Sequence, residues 1–351
     1  MRVLIIKTSS MGDVIHTLPA LKDAGKFFPG MIFDWAVEEN FAEIPRWHPL
    51  VKKIIPIALR RWRKNLFSRQ TKIECKNFFK ELRTEKYDFI IDAQGLLKSA
   101  FIARFARGIR CGFDRRSARE PLAAFFYQRQ FSISKNQHAV TRVRELFSRV
   151  LNYSYTETAL DYGIDRTNFY DKKSVDNYFV FLHGTTWDTK HWPEAYWIEL
   201  ATIANQNGFL VKLPWGNITE RERAERIATA CPHVEVLPRL DLIGIATILA
   251  AAKAVVAVDT GLGHLAAALN VPTVSLYGPT NPALIGTLGQ SQIHLSATFP
   301  CAPCVSRICT YQDTHSPFNP PSPLKFPSPL KPPCFGTVRP SDVWNSVEML
   351  F

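Results

Sequence analysis

The chain reads as an α/β protein made of two successive Rossmann-like halves, and three observations predict this. Its 351 residues exceed what one hydrophobic core usually serves. Short β-rich apolar runs alternate with stretches of helical periodicity, the pattern of parallel strands covered by helices. The pattern then starts again after about residue 160, so residues 1–160 and 170–351 read as two domains of similar size. Ligands of such folds bind beyond the carboxyl ends of the strands, and two of them in series predict a cleft between facing domains.

In order along the chain, Val3 to Ile6 has the look of a central parallel strand. It runs into the small-residue loop Lys7-Thr-Ser-Ser-Met-Gly-Asp13, after which Val14, Leu18 and Leu21 recur at helical spacing. Phe33 to Val37 and Phe89 to Ile91 read as further strands, the second ending at Asp92-Ala-Gln-Gly95 before a helix over Leu96 to Arg104. The second half opens on the strand Tyr178 to Leu182, followed by His183-Gly-Thr-Thr186. Trp192-Pro-Glu194 then starts a helix with proline near its first turn. Phe209 to Leu213, Val234 to Leu237 and Ala254 to Val258 are three more strands. Ser316 to Pro340 is crowded with proline and repeats Ser-Pro-Leu-Lys, which predicts an extended loop. From Ser341 to Phe351 helical periodicity returns.

The bulk composition, 46% hydrophobic and 21% charged, is that of a soluble globular protein. No secretion signal opens the chain, and the longest apolar stretch, Leu242 to Val258, is broken by Lys253. It reads as a helix followed by a buried strand rather than a membrane span. A cytoplasmic protein is therefore expected, with its cysteines reduced. The net charge of +12 predicts an acidic partner: nucleic acid, anionic lipid or a phosphorylated substrate.

Four clusters carry residue types suited to chemistry. Asp13, just past a strand end, suits either a general base or a helix N-cap. Asp259-Thr-Gly-Leu-Gly-His264 follows a strand and opens a helix, where free N–H groups favour phosphate. Thr185 and Thr186 with Lys190 could hold a diphosphate, the lysine stabilising a nucleotide leaving group, or could be a solvated loop. Arg60-Arg-Trp-Arg-Lys64, with Arg69 and Lys72 beyond, is either a solvated helix face, a nucleic-acid patch or a membrane-surface segment. Cys301, Cys304, Cys309 and Cys334 make a weak four-thiolate zinc candidate, weakened by the long proline-rich gap.

At this point a wider resemblance emerges. Lys7-Thr-Ser-Ser-Met-Gly-Asp13-Val-Ile-His16, Phe33-Asp-Trp35, Arg60 to Lys64, Ile91-Asp-Ala-Gln-Gly95, Arg119-Glu-Pro121 and His138-Ala139 fall in order in the first half. Lys190-His-Trp-Pro193, Lys212-Leu-Pro-Trp-Gly216 and Asp259-Thr-Gly261 with His264 follow in the second. Together, over residues 1 to about 290, they resemble the heptosyltransferase I group of glycosyltransferase family 9. The proline-rich, cysteine-containing stretch at about 300–340 stands outside the resemblance as an insertion.

The resemblance implies a GT-B fold with an acceptor-binding first domain and a nucleotide-sugar-binding second one. It implies inverting, metal-independent transfer of heptose from ADP-heptose to the first Kdo of Kdo-lipid A, at the cytoplasmic face of the inner membrane. Asp13 would be the base and Lys190 the leaving-group cation. Thr185, Thr186, Lys190, Thr260, Gly261 and Leu262 would hold the diphosphate, Glu220 and Leu240 the ribose and adenine, and Asp259 and His264 would position the heptose and diphosphate. Lys7, Ser10, Arg60, Arg61, Arg63, Lys64, Gln94, Arg119, His138 and Arg142 would meet the acceptor. No Asp-x-Asp motif offers a metal carrier, so no cofactor and no metal are expected, and peripheral contact with an anionic membrane is. A family member with a later inner-core acceptor, and a nucleic-acid-binding protein using the 60–72 run, are the alternatives.

Overall fold

The computed structural model describes residues 1–155, 160–170, 177–311 and 332–350. It divides into two compact units, Met1–Ile164 and Asp165–Phe351. In the first, strands β1 (Arg2–Ile6), β2 (Ile32–Glu38), β3 (Val51–Ile57), β4 (Lys86–Asp92), β5 (Arg107–Phe113) and β6 (Arg129–Phe131) form one parallel sheet in the order β3-β2-β1-β4-β5-β6. Val3 lies between Phe33 and Phe89 in register, and Val3 to Ile6 are wholly buried, which is why that run is continuously apolar. β3, β5 and β6 escape a reading by apolar runs. β3 is an edge strand with Lys52 and Pro56 exposed, and β5 carries Arg107, Arg110 and two glycines.

The helices of more than one turn in this unit are α1 (Met11–Ile15), α2 (Leu18–Phe27), α3 (Arg69–Leu82), α4 (Leu97–Phe105) and α5 (Ala139–Leu151). The periodicity from Val14 to Leu21 predicts one helix, but the chain makes two. Pro19, in the first turn of α2, has no N–H to continue a ladder from α1, and the Thr17 hydroxyl instead donates to the Asp13 carbonyl at 3.0 Å.

The second unit repeats the plan. Strands β7 (Tyr178–Leu182), β8 (Leu210–Leu213), β9 (Val234–Val236), β10 (Ala254–Val258), β11 (Thr273–Tyr277) and β12 (Gln292–Ser296) pair in parallel in the order β12-β11-β10-β7-β8-β9. Numbered within each unit, both sheets have the same strand order. Helices α6 (Glu194–Gln206), α7 (Ile218–Ala230), α8 (Leu242–Ala251), α9 (Gly261–Ala268) and α10 (Pro340–Glu348) accompany the sheet. Phe179, Phe181, Trp197 and Leu200 lie in its core cluster.

The extended loop expected over Ser316 to Pro340 lies outside the described residues as far as 331. Its end differs from the expectation. Pro333–Thr337 forms a 3-10 turn, Phe335 is wholly buried, and Val343 and Val347 of α10 share its core cluster. The Trp192 indole N–H donates to the Val338 carbonyl at 2.9 Å. Proline excludes a helix interior but not burial, since it brings no N–H that must find a partner.

The basic excess is confined to one unit. Met1–Ile164 holds 29 Lys and Arg against 16 Asp and Glu, whereas Asp165–Phe351 holds 14 against 15.

Each unit also buries a neutral histidine. Burial, with Lys22 nearby, lowers the His48 pKa from 6.5 to about 4. Burial, with Arg223 and His191, lowers that of His183 to about 3. Below pH 6.5 the unfolded chain takes up both protons and the folded one does not, so stability is full above that pH and falls as the solution is acidified towards about 4. Each histidine should contribute a slope on the order of 1 kcal/mol per pH unit. Urea unfolding at pH 7 and pH 5 should show it, and His48→Gln should flatten the slope by about one proton.

Candidate functional site

In both sheets the strand order reverses between the first and fourth strands of the unit, and loops leaving such a switch point are where α/β folds bind ligands. In the first unit those loops follow β1 and β4. Ser10 caps α1, and Asp13 stands at its third position with Oδ2 accepting from the Ser10 N–H at 2.9 Å and the Ser10 hydroxyl at 2.8 Å. Asp13 thus belongs to a capping arrangement without being the N-cap itself. The Lys7 Nζ lies 3.5 Å from Asp13 Oδ1 and donates to the Ala93 carbonyl at 2.9 Å. Burial pushes the Asp13 carboxyl up, but Lys7, both Ser10 donors and His16 outweigh it and hold the pKa well below the ordinary carboxylate value. The side chain is still 34% exposed, so an ionised carboxylate is open to a substrate hydroxyl.

The β4 loop is locked to the β1 loop. Asp92, fully buried, accepts from the N–H groups of Gln94 and Gly95 and from the Tyr127 hydroxyl at 2.7 Å. Gln94 Oε1 in turn accepts from the Thr8 N–H and hydroxyl, both at 2.8 Å. Gly95 has φ +67° with Arg119 N and Phe113 at 3.3 Å from where a Cβ would be, so the tight turn here needs glycine. The carbonyl of Gln94, expected at the acceptor, is therefore spent on holding the loop.

The other acceptor candidates divide. Arg61 binds Glu39 and Glu74 through both edges of its guanidinium, and these partners raise its pKa. Trp62, which shares the one-turn helix Leu59–Trp62 with Arg61, is buried with its N–H on Glu74. Within the 60–72 run Trp62 and Thr71 are buried and Arg61 is already paired, so the run is not one continuous free basic face. Arg60 sits 5.2 Å over the Phe41 ring, while Arg63, Lys64 and Arg119 are exposed. His138 caps α5 by accepting from the Val140 N–H, and its ring lies 5.5 Å from that of His16. Arg142 donates to the Ser117 carbonyl at 2.7 Å and stacks 5.0 Å over Phe113. Lys98, missed by the sequence reading, brings its amine to 3.5 Å from the Ser9 hydroxyl. Nothing in its spacing marks it out.

In the second unit the β7 and β10 loops meet. Lys190 Nζ lies 2.6 Å from Asp259 Oδ2, which also accepts from the Thr280 hydroxyl at 2.7 Å. The Thr185 hydroxyl donates to the Asp259 carbonyl at 3.1 Å, and Lys190 lies 4.4 Å over the Trp187 ring. Thr260 caps α9, with Gly261 and Leu262 in its first turn and His264 buried one residue beyond Gly263. Thr186 is exposed and Leu240 half-buried. Thr280 follows β11, a strand the sequence reading did not identify, and so was not found.

Glu220 accepts from the Gly216 N–H at 2.7 Å, and a Cβ on Gly184 would lie within 2.9 Å of its carboxylate oxygens. The Glu220 tip is flexible, so Gly184→Ala should leave the melting temperature nearly unchanged while displacing that carboxylate. Where Glu220 holds a donor's ribose, as the resemblance implies, a several-fold rise in the donor KM with little change in kcat is the expected kinetic result.

Among the described residues no group of three His, Cys, Asp or Glu is arranged to hold a metal ion. Cys301, Cys304 and Cys309 are exposed and Cys334 is buried, all with free thiols; the first three help burial raise the Cys334 thiol's pKa, but the four do not form such a group.

Two Rossmann-type units, one offering an ionised, accessible carboxylate among cations and the other a lysine–carboxylate pair at a helix start, fit a GT-B glycosyltransferase, the class to which the matching solved heptosyltransferases belong. The chain belongs to glycosyltransferase family 9, the heptosyltransferases, whose family model matches residues 75–315. It is 54% identical to lipopolysaccharide heptosyltransferase 1 of Pseudomonas aeruginosa over 351 residues, covering 100% of this chain and 98% of the relative. The structure of the E. coli heptosyltransferase WaaC with ADP superposes with a TM-score of 0.81 at 53% identity, over 85% of this chain and 93% of that one. The WaaC structure with ADP-2-deoxy-2-fluoro heptose gives 0.78 at 52% identity, over the same shares of the two chains.

Proposed function

We propose that the protein transfers L-glycero-D-manno-heptose from ADP-heptose to the first Kdo of Kdo-lipid A, with inversion and without a metal, working peripherally at the cytoplasmic face of the inner membrane. The observation that carries this reading is the division of charge between the units. The first holds Asp13 and the whole basic excess, which suits an acceptor bearing several carboxylates and phosphates. The second, near neutral, offers Lys190, the Thr185 hydroxyl and the start of α9 to a diphosphate. The names of the relatives and their ADP and ADP-sugar ligands support the same donor and acceptor.

Asp13, held ionised, takes the proton of the attacking acceptor hydroxyl as its oxygen bonds to the anomeric carbon. The bond to the diphosphate breaks on the opposite side, which inverts the centre. Lys190 and the α9 amides neutralise the leaving ADP. Asp259 is already neutralised by Lys190 at 2.6 Å, so it is poorly placed to carry a divalent cation to the diphosphate.

The test is ADP release on mixing the purified protein with ADP-heptose and de-acylated Kdo-lipid A in the presence of EDTA. ADP should form only when both substrates are present. Release only after magnesium is restored would remove the metal-free mechanism, and none under either condition would remove this acceptor.

A further inference from the structure

The first unit carries an exposed apolar face that the transfer reaction does not use. On α4, Leu97 and Phe101 are 39% and 49% exposed at a spacing of four, which places them on one side of the helix. Pro121–Phe126 is a 3-10 segment, and its Leu122 and Phe125, three apart and so eclipsed, are 54% and 65% exposed. The two elements pack on each other through their small residues, Ala100 and Ala123 sharing a buried cluster with Tyr127. Single exposed hydrophobics are ordinary, but two paired rows on adjoining elements are not.

The surroundings are cationic. Residues 97–129 contain eight Lys and Arg against two acids, and both acids are occupied. Asp114 accepts from the N–H groups of Arg116 and Ser117, and Glu120 from that of Leu97. Arg115 lies 5.1 Å over the Phe125 ring, so a guanidinium borders the apolar row directly. No helix among the described residues is long and apolar enough to cross a membrane. Apolar side chains rimmed by arginine are instead what an interfacial segment presents to acidic headgroups.

We propose that α4 and the Pro121–Phe126 segment form the surface by which this protein docks onto an anionic lipid bilayer. Leu97 and Phe101 with Leu122 and Phe125 enter the headgroup–acyl boundary, and the flanking arginines pair with lipid phosphates. The first turn of α4 also carries Lys98, 3.5 Å from Ser9 in the Asp13 loop, so docking brings that loop to the lipid surface. The proposal rests on the reading of a lipid-linked acceptor only for its purpose.

Co-sedimentation of the full chain with vesicles that contain no acceptor tests it independently of that reading. Phosphatidylcholine vesicles carrying about one third phosphatidylglycerol should bind the protein, and binding should weaken with salt and be far poorer without the acidic lipid. Phe101→Ser/Phe125→Ser should lower that binding at least about tenfold. Arg115→Glu/Arg116→Glu, which leaves the apolar rows intact, should remove the preference for acidic lipid. Turnover on the de-acylated, water-soluble acceptor should be the same in both variants as in the parent. Failure of the parent to bind acidic vesicles would overturn the proposal, as would a serine variant that binds as tightly as the parent. A serine variant that lost only self-association by light scattering would overturn it too, making this face a contact between copies.

Discussion

Asp13→Asn folds normally and loses about 10³-fold in turnover, the scale of a positioned general base. Asparagine keeps the shape and an oxygen for the Ser10 N–H and hydroxyl, so α1 retains its cap. It loses the one property the surroundings are built to preserve, a negative charge able to take a proton. Lys7, Ser10 and His16 hold the aspartate ionised against its burial. The acid limb of kcat/KM due to this group should therefore lie below the ordinary carboxylate range, leaving activity flat on this account from pH 7 towards 5. An asparagine variant with parental kcat would mean that Asp13 serves only as a helix cap. The donor KM should stay within about twofold, since uniform binding is not what is lost.

The depth to which the site can be read from sequence follows from what each part depends on. β1, β7 and β10 are buried on both faces, so their runs are continuously apolar, and the loops leaving them hold Asp13, Lys190 and Asp259. Those residues stand next to a strong signal. β5 and β11 are harder to see: one interleaves arginine with glycine, and the other includes Thr273 and Ser275, buried polar groups that satisfy themselves internally. Thr280, which follows β11, was lost with it. The roles of Gln94 and Arg61 could not be read from spacing at all. Each looks like a ligand-binding side chain, and each is held by a partner far along the chain, Thr8 for one and Glu74 for the other. A local pattern carries no information about such a partner. The buried Phe335 turn was hidden for the opposite reason, because proline density describes backbone options and says nothing of what the intervening aromatic packs on.

The second large effect is expected at Lys190, and its companion Asp259 makes it diagnostic. Lys190→Met removes the cation proposed to meet the leaving diphosphate, and about 10²- to 10³-fold in kcat should go with it. The donor KM should rise as well, for a reason specific to this geometry. Asp259 is 7% exposed and, among the described residues, now keeps only the Thr280 hydroxyl as a side-chain partner, so a buried carboxylate is left facing an incoming dianion. Asp259→Asn relieves that repulsion. In the double variant Lys190→Met/Asp259→Asn the donor KM should return towards the parental value while kcat stays low. That non-additivity, measured as a double-mutant cycle on the two parameters separately, distinguishes a lysine acting on the leaving group from one that only neutralises Asp259. If kcat also recovers in the double variant, Lys190 is a counter-ion and the leaving group is stabilised by the α9 amides alone.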